Sequence, residues 1–170
     1  MTVNRLVTPT GMTYNTYMEK HLDAYVMVGA PGAGKSTYAT KLAEMEDAVI
    51  ISGDDVRLEL YGSASIQGKW HEIWDRIEEL VSESCGMPII LDGTHYRRDY
   101  REEAVALLRS FGYTCIEAVV VNPTLATCLS RNFQRKRHVP DYVIQEMYEK
   151  LQTSLKSIDN EDFDRITYAF

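Results

Sequence analysis

The stretch "MVGAPGAGKSTYATKLAEM" (residues 27–45) decides the fold. Just ahead of it, "AYVMV" (24–28) is an unbroken apolar run, the pattern of a strand covered on both faces, and it feeds straight into Gly29. Gly29-Ala30-Pro31-Gly32-Ala33-Gly34-Lys35-Ser36 fits GxxxxGK(S/T) in the strand-then-helix setting that a phosphate-binding loop requires. Its glycines let consecutive backbone N–H groups point inward at a β-phosphate. The helix starting near Lys35 adds its positive end, and the Lys35 ammonium bridges β and γ oxygens. Ser36 is expected to hold Mg²⁺. Thr37 is a weaker candidate for the α-phosphate, since a local helix-turn bond would explain a Thr there equally well. The implied ligands are ATP and Mg²⁺, and other nucleoside triphosphates are expected to be accepted because the loop contacts phosphates.

Outward from this loop, further apolar runs occur at "AVIIS" (48–52), "MPIILD" (87–92), "CIEAVVV" (115–121) and "RITYA" (165–169). Helical patterns alternate with them. Trp70, Ile73, Trp74, Ile77, Leu80 and Val81 follow the spacing of one buried face, as do Tyr100, Ala104, Leu107, Leu108 and Phe111, with Gly112 placed to end that helix. Asn122-Pro123 reads as a cap and first-position proline for a helix carrying Leu125, Cys128 and Leu129. Pro140 opens a last helix with the stripe Val143, Ile144, Met147 and Leu151. Strands alternating with helices predict a three-layer α/β/α sandwich on a mainly parallel five-stranded sheet, with ligands at the carboxyl ends of the strands. Residues 1–22 show no clean period and read as an N-terminal extension to a domain spanning 23–170.

Composition narrows the class. The chain has 170 residues, 45% of them hydrophobic and 25% charged, with a net charge of −7 and a pI near 5.1. That charge argues against a protein coating long stretches of nucleic acid and leaves room for a small, locally basic site. Cys85, Cys115 and Cys128 are widely spaced in apolar surroundings and read as buried small hydrophobes in a reducing compartment, not as a zinc site or disulfide framework. No segment has the length of a membrane span or the pattern of a signal peptide, so a cytoplasmic location and no membrane partner are expected.

The acceptor side is marked by "SGDDVR" (52–57), which follows the second apolar run and puts two carboxylates and an arginine at the sheet edge. A hydroxyl attacking a γ-phosphate needs a carboxylate to orient it and take its proton, and an arginine to fix an anionic group on the acceptor. Asp54 is the candidate for that chemistry, with Asp55 as its helix-capping neighbour and Arg57 one turn on. Asp92, ending "PIILD", is the candidate second acid that steadies Mg²⁺. In the basic segment "SRNFQRKRHVP" (130–140), Arg131 and Arg135 stand four apart and are expected on one helix face over the triphosphate, as a lid. His71 and His95 read as polar surface or turn residues. Trp70 and Trp74 read as core, with Tyr61, Trp70 or Tyr96 as candidates for stacking an unpaired base.

"GAPGAGKST", "SGDDVR", "LDGTHYRR" and "SRNFQRKRHVP" with "DYVIQEMYEKL" together resemble the P-loop kinase domain of bacteriophage-type 5′-polynucleotide kinases, within the wider group of zeta toxins and small-molecule kinases. The resemblance covers residues 24–151. It implies Asp54 as general base, Arg57 as a clamp on the acceptor's 3′-phosphate, Arg135 on the transferring phosphate and Arg131 in support. The implied acceptor is the 5′-hydroxyl of a DNA or RNA end. The phosphatase domain that often follows such kinases is not expected within these 170 residues. Two other readings stand beside it: a kinase of the same fold acting on a nucleoside, a small molecule or a modified base in DNA, and a non-catalytic nucleotide switch.

Overall fold

The computed structural model describes residues 23–169, so the expected extension over residues 1–22 lies outside the described residues. Five strands alternate with six helices: β1 Asp23–Val28, α1 Lys35–Glu46, β2 Val49–Ser52, α2 Gly53–Tyr61, α3 Trp70–Glu83, β3 Ile89–Asp92, α4 Arg98–Ser110, β4 Cys115–Val121, α5 Leu125–Phe133, α6 Asp141–Ser154 and β5 Arg165–Ala169, with a short 3₁₀ turn at Leu155–Asn160. The strand order is β2-β3-β1-β4-β5 and every pairing is parallel, as the apolar runs predict. Central β1 is sealed on both faces: Ala24, Val26, Met27 and Val28 are inaccessible and Tyr25 is 5% exposed. Ile89, Ile90, Ile116 and Ala118 on the flanking strands complete the core.

Register places the site. Ser52 pairs with Asp92, which brings the end of β2, and therefore the head of α2, beside the end of β3. Met27 and Val28 pair with Val119 and Val120, so the loop leaving β1 emerges at the same carboxyl edge.

Several local expectations need correcting. The α5 cap is Thr124, whose Oγ1 accepts from the Thr127 amide at 3.2 Å, not Asn122. The Asn122 amide is engaged elsewhere, in a reciprocal pair with Gln152 of α6. The residue preceding α2 is Ser52 in extended conformation, so Asp55 does not cap the helix. Asp54 and Asp55 both lie inside its first turn, where their charge suits the helix's positive end. Along α3 the core is supplied by Ile73, Ile77 and Val81, whereas Trp70, whose ring lies against Trp74 and Tyr100, is 45% exposed. Of the cysteines, Cys128 is buried. Cys85 is exposed in the turn after α3, and Cys115 is half-buried at the start of β4.

The sequence patterns give no hint of Arg101, an arginine of α4 with no accessible surface. Its guanidinium forms a two-point pair with Glu161 at 2.6 Å on each arm and also donates to the His95 carbonyl and the Ser154 hydroxyl. A buried arginine persists only when its donors are satisfied. Here the satisfaction ties α4, the end of α6 and the loop after β3 into one body.

Candidate active site

The loop between β1 and α1 is held from three sides. The Gly29 amide donates to the Thr94 carbonyl at 2.9 Å, and His95 Nδ1 lies 2.8 Å from the Met27 carbonyl. A carbonyl only accepts, so Nδ1 carries the proton. Burial holds the His95 pKa down to about 4, and the ring stays neutral. His95 is thus a strut behind the phosphate loop, with φ of 37°, not the surface turn residue expected. On the third side, α5 packs so closely that a Cβ on Gly32, whose φ is 80°, would collide with the Cys128 carbonyl. Only glycine fits both the backbone and the gap.

Gly34, at φ 105°, immediately precedes α1, and Lys35 begins it. Lys35 is 8% exposed and its Nζ donates to the Ala30 carbonyl at 2.9 Å. Desolvation lowers its pKa to about 8. Asp92 opposes the shift, and the positive charge of Arg135 adds to it. A triphosphate needs the charged ammonium, so affinity should fall as pH rises through 8. Lys35→Arg, whose guanidinium stays charged, should lack that fall. Titration with a fluorescent ATP analogue between pH 6.5 and 9.5 checks this.

Ser36 and Asp92 are neighbours at this edge. Burial raises the Asp92 pKa, with the nearby Ser36 hydroxyl and the Lys35 charge acting against it. A hydroxyl and a carboxylate side by side at the start of α1 are hard oxygen donors of the kind Mg²⁺ takes, so the residues present fit the ion. Thr37 is exposed in the first turn of α1.

Across the edge lies Asp54, with both carboxylate oxygens engaged. Arg57 Nη1 donates to Oδ1 at 3.3 Å and Arg137 Nη1 to Oδ2 at 2.9 Å. Arg57 also donates to the Gly53 carbonyl, while its Nε is buried without a partner. Arg137 lies in the same basic segment as Arg131 and Arg135.

The lid differs from the expected helix face. Helix α5 ends at Phe133, so Arg131 lies on it and Arg135 lies in the loop beyond. The Gln134 and Arg135 amides bond back to the Arg131 and Asn132 carbonyls, a tightened last turn that stops the helix. Arg131 Nη1 reaches the Ala33 carbonyl at 2.5 Å, across the phosphate loop. Arg135 is exposed, near enough to Lys35 to depress its pKa.

What shapes this loop is Asn132, 2% exposed. Its Nδ2 donates to the Val139 carbonyl at 2.8 Å and its Oδ1 accepts from the Val139 amide at 3.0 Å, so one side chain closes the loop at its neck. Asn132→Ala should leave both Val139 groups unpaired, lowering stability by about 2 kcal/mol and weakening triphosphate binding. A thermal melt and a nucleotide titration read the two effects.

Comparison with known proteins agrees with this geometry. A structure of the Pnkp1/Rnl/Hen1 RNA repair complex matches with a TM-score of 0.73 at 23% identity, over 85% of this chain and 48% of that one. A gluconokinase from Sinorhizobium meliloti 1021 matches with a TM-score of 0.51 at 19% identity, over 88% of this chain and 83% of that one. The L-seryl-tRNA(Sec) kinase of Methanococcus maripaludis is 28% identical over 139 residues, 75% of this chain. The chain spans 52% of that relative's length. The sheet order, the phosphate loop and the helix after it are those of a P-loop kinase fold, and the AAA_33 model, described as an AAA domain, matches residues 25–154, so the chain belongs to that family.

Proposed function

We propose that this chain is an ATP- and Mg²⁺-dependent kinase that transfers the γ-phosphate to the 5′-hydroxyl of a nucleic acid end. The observation that carries the reading is the setting of Asp54, an exposed carboxylate at the head of α2 between Arg57 and Arg137, facing the edge that holds Lys35, Ser36 and Asp92. Its role is to take the proton of the attacking hydroxyl. A bond then forms between that oxygen and the γ-phosphorus, the bond to the β-phosphate oxygen breaks, and ADP leaves. Ser36 and Asp92 would hold Mg²⁺, which shields the phosphate charge when bound. Lys35, Arg131 and Arg135 fix the triphosphate, and positioning with charge neutralisation supplies most of the rate.

Arg57 would hold an acceptor phosphate. Its buried, unpartnered Nε is a donor that an anion would satisfy, and an acceptor that carries a phosphate one nucleotide from its hydroxyl supplies one. The small-footprint basic lid in an acidic chain suits an enzyme that grips an end. The RNA repair complex among the structural relatives points the same way, and the seryl-tRNA kinase adds a hydroxyl on a nucleic acid-borne group.

Transfer from γ-labelled ATP, run in parallel on 5′-hydroxyl oligonucleotides, mononucleosides, gluconate and seryl-tRNA, tests the reading. Label in the oligonucleotide supports it, and label in one of the other acceptors alone replaces it with that acceptor's class.

A further inference from the structure

Trp70 and Trp74 lie on successive turns of α3 with ring centroids 5.5 Å apart and planes 28° apart. Tyr100 of α4 continues the series, 5.8 Å from Trp70 at 30°, and the Arg97 guanidinium lies over the Tyr100 ring, 4.6 Å from its centroid. Tyr96 braces Tyr100 edge-on at 5.8 Å. Tyr96 is buried in the core and Trp74 and Tyr100 pack against it, whereas Trp70 stands 45% exposed beyond the inner face of α3 that Ile73, Ile77 and Val81 fill. Around the series, Glu103 lies close enough to the Trp70 indole to be affected by it, and Arg97 donates to both oxygens of Asp99. A partly exposed stack of flat groups with a guanidinium over one ring offers an aromatic surface and positive charge together.

Its place explains it. The loop carrying Tyr96 and Arg97 leaves β3 just after Asp92, and Thr94 in that loop receives the Gly29 amide of the phosphate loop. On the other side, the Tyr61 hydroxyl at the end of α2 donates to Glu72 of α3, so the helix headed by Asp54 packs against the one bearing Trp70. Lys69, Arg97 and Arg98 rim the stack in a chain whose net charge is −7. Their acid partners are exposed, and such pairs are weak enough for phosphates to compete.

We infer that this aromatic and arginine ladder is a stacking site for unpaired bases of the acceptor strand, next to the end being phosphorylated. The inference rests on the polynucleotide reading above and adds that the preferred end is single-stranded. Flat faces accept any base, and the basic rim follows the backbone, so binding is tolerant of sequence.

Both tryptophans of the chain are in the ladder, so intrinsic fluorescence reports on it directly. The full chain is titrated with a 5′-hydroxyl oligothymidylate and, separately, with a blunt duplex of the same length, without ATP. Saturable quenching by the single strand is expected, with weaker binding of the duplex. Trp70→Ala and Arg97→Ala should each weaken single-strand binding about tenfold, and the second variant serves if the first fails to fold. Equal quenching by both nucleic acids, or unchanged affinity in the folded variants, overturns the inference. If label reaches single-stranded ends with the same KM in both variants, the ladder is not used although the kinase reading stands. If the single strand binds at the ladder yet no 5′ end is labelled, the kinase reading fails and the site remains.

Discussion

Asp54→Ala should reduce phosphoryl transfer by about 10³-fold and leave ATP binding intact. The split follows from what Asp54 touches. Its carboxylate meets Arg57 and Arg137, not the phosphate loop, so its loss removes the group assigned to the attacking hydroxyl and no donor to the triphosphate. The charge change acts in the opposite direction on binding. Removing a carboxylate frees two guanidiniums near a site for a tetra-anion, so the Kd for ATP should stay level or fall slightly. Asp54→Asn keeps the size, loses the charge and the basicity, and leaves one acceptor oxygen where Arg57 and Arg137 now meet two, so it should fail in transfer as Asp54→Ala does. Measuring kcat alongside ATP affinity checks the pair, and near-normal turnover in Asp54→Ala would mean that another group serves the acceptor.

Lys35→Met should lose both turnover and triphosphate affinity, each by about a hundredfold or more, and yet melt no lower than the parent protein. The first half follows from the ammonium's position within the loop, donating to Ala30 with Asp92 nearby. The second follows from its burial. A lysine held at a pKa of about 8 from a normal 10.5 loses about 3 kcal/mol to the native fold when charged. The sign is that of a depressed lysine: the penalty is complete below pH 8, and stability from this group grows as pH rises from 8 towards 10.5. Removing the group removes the penalty. Melting both proteins at pH 7 with an ATP titration checks this, and a large loss of stability in Lys35→Met would show that the Ala30 and Asp92 contacts outweigh desolvation.

The strands and the phosphate loop were legible because their signals are local. A run such as "CIEAVVV" can bury both faces only in a covered sheet, and it forms β4 over the same residues. The Asp92 and Ser52 neighbourhood followed from two strand ends at one sheet edge. What stayed hidden depends on contacts between distant positions. Asn132 looks like any polar residue in a basic run until its carboxamide is seen closing the loop on Val139. That closure takes Arg135 off the helix face and carries Arg137 to Asp54, 83 positions away in sequence. Likewise nothing in the helical pattern "YREEAV" (100–105) around Arg101 announces a partner at Glu161, 60 residues on. His95 was misplaced for the same reason, since its partner is a β1 carbonyl. Trp70 obeyed the helical period and still left the core, because the period gives the face of a helix and not how far that face extends beyond the sheet.

The most direct test of the central assignment is transfer from γ-labelled ATP to one oligonucleotide prepared in two forms, with a 5′-hydroxyl and with a 5′-phosphate. The 5′-hydroxyl form should take up one labelled phosphate at its 5′ end, the 5′-phosphate form none, and Asp54→Ala should label neither. Equal labelling of the two forms, or no labelling of either by a protein that binds ATP, would contradict it.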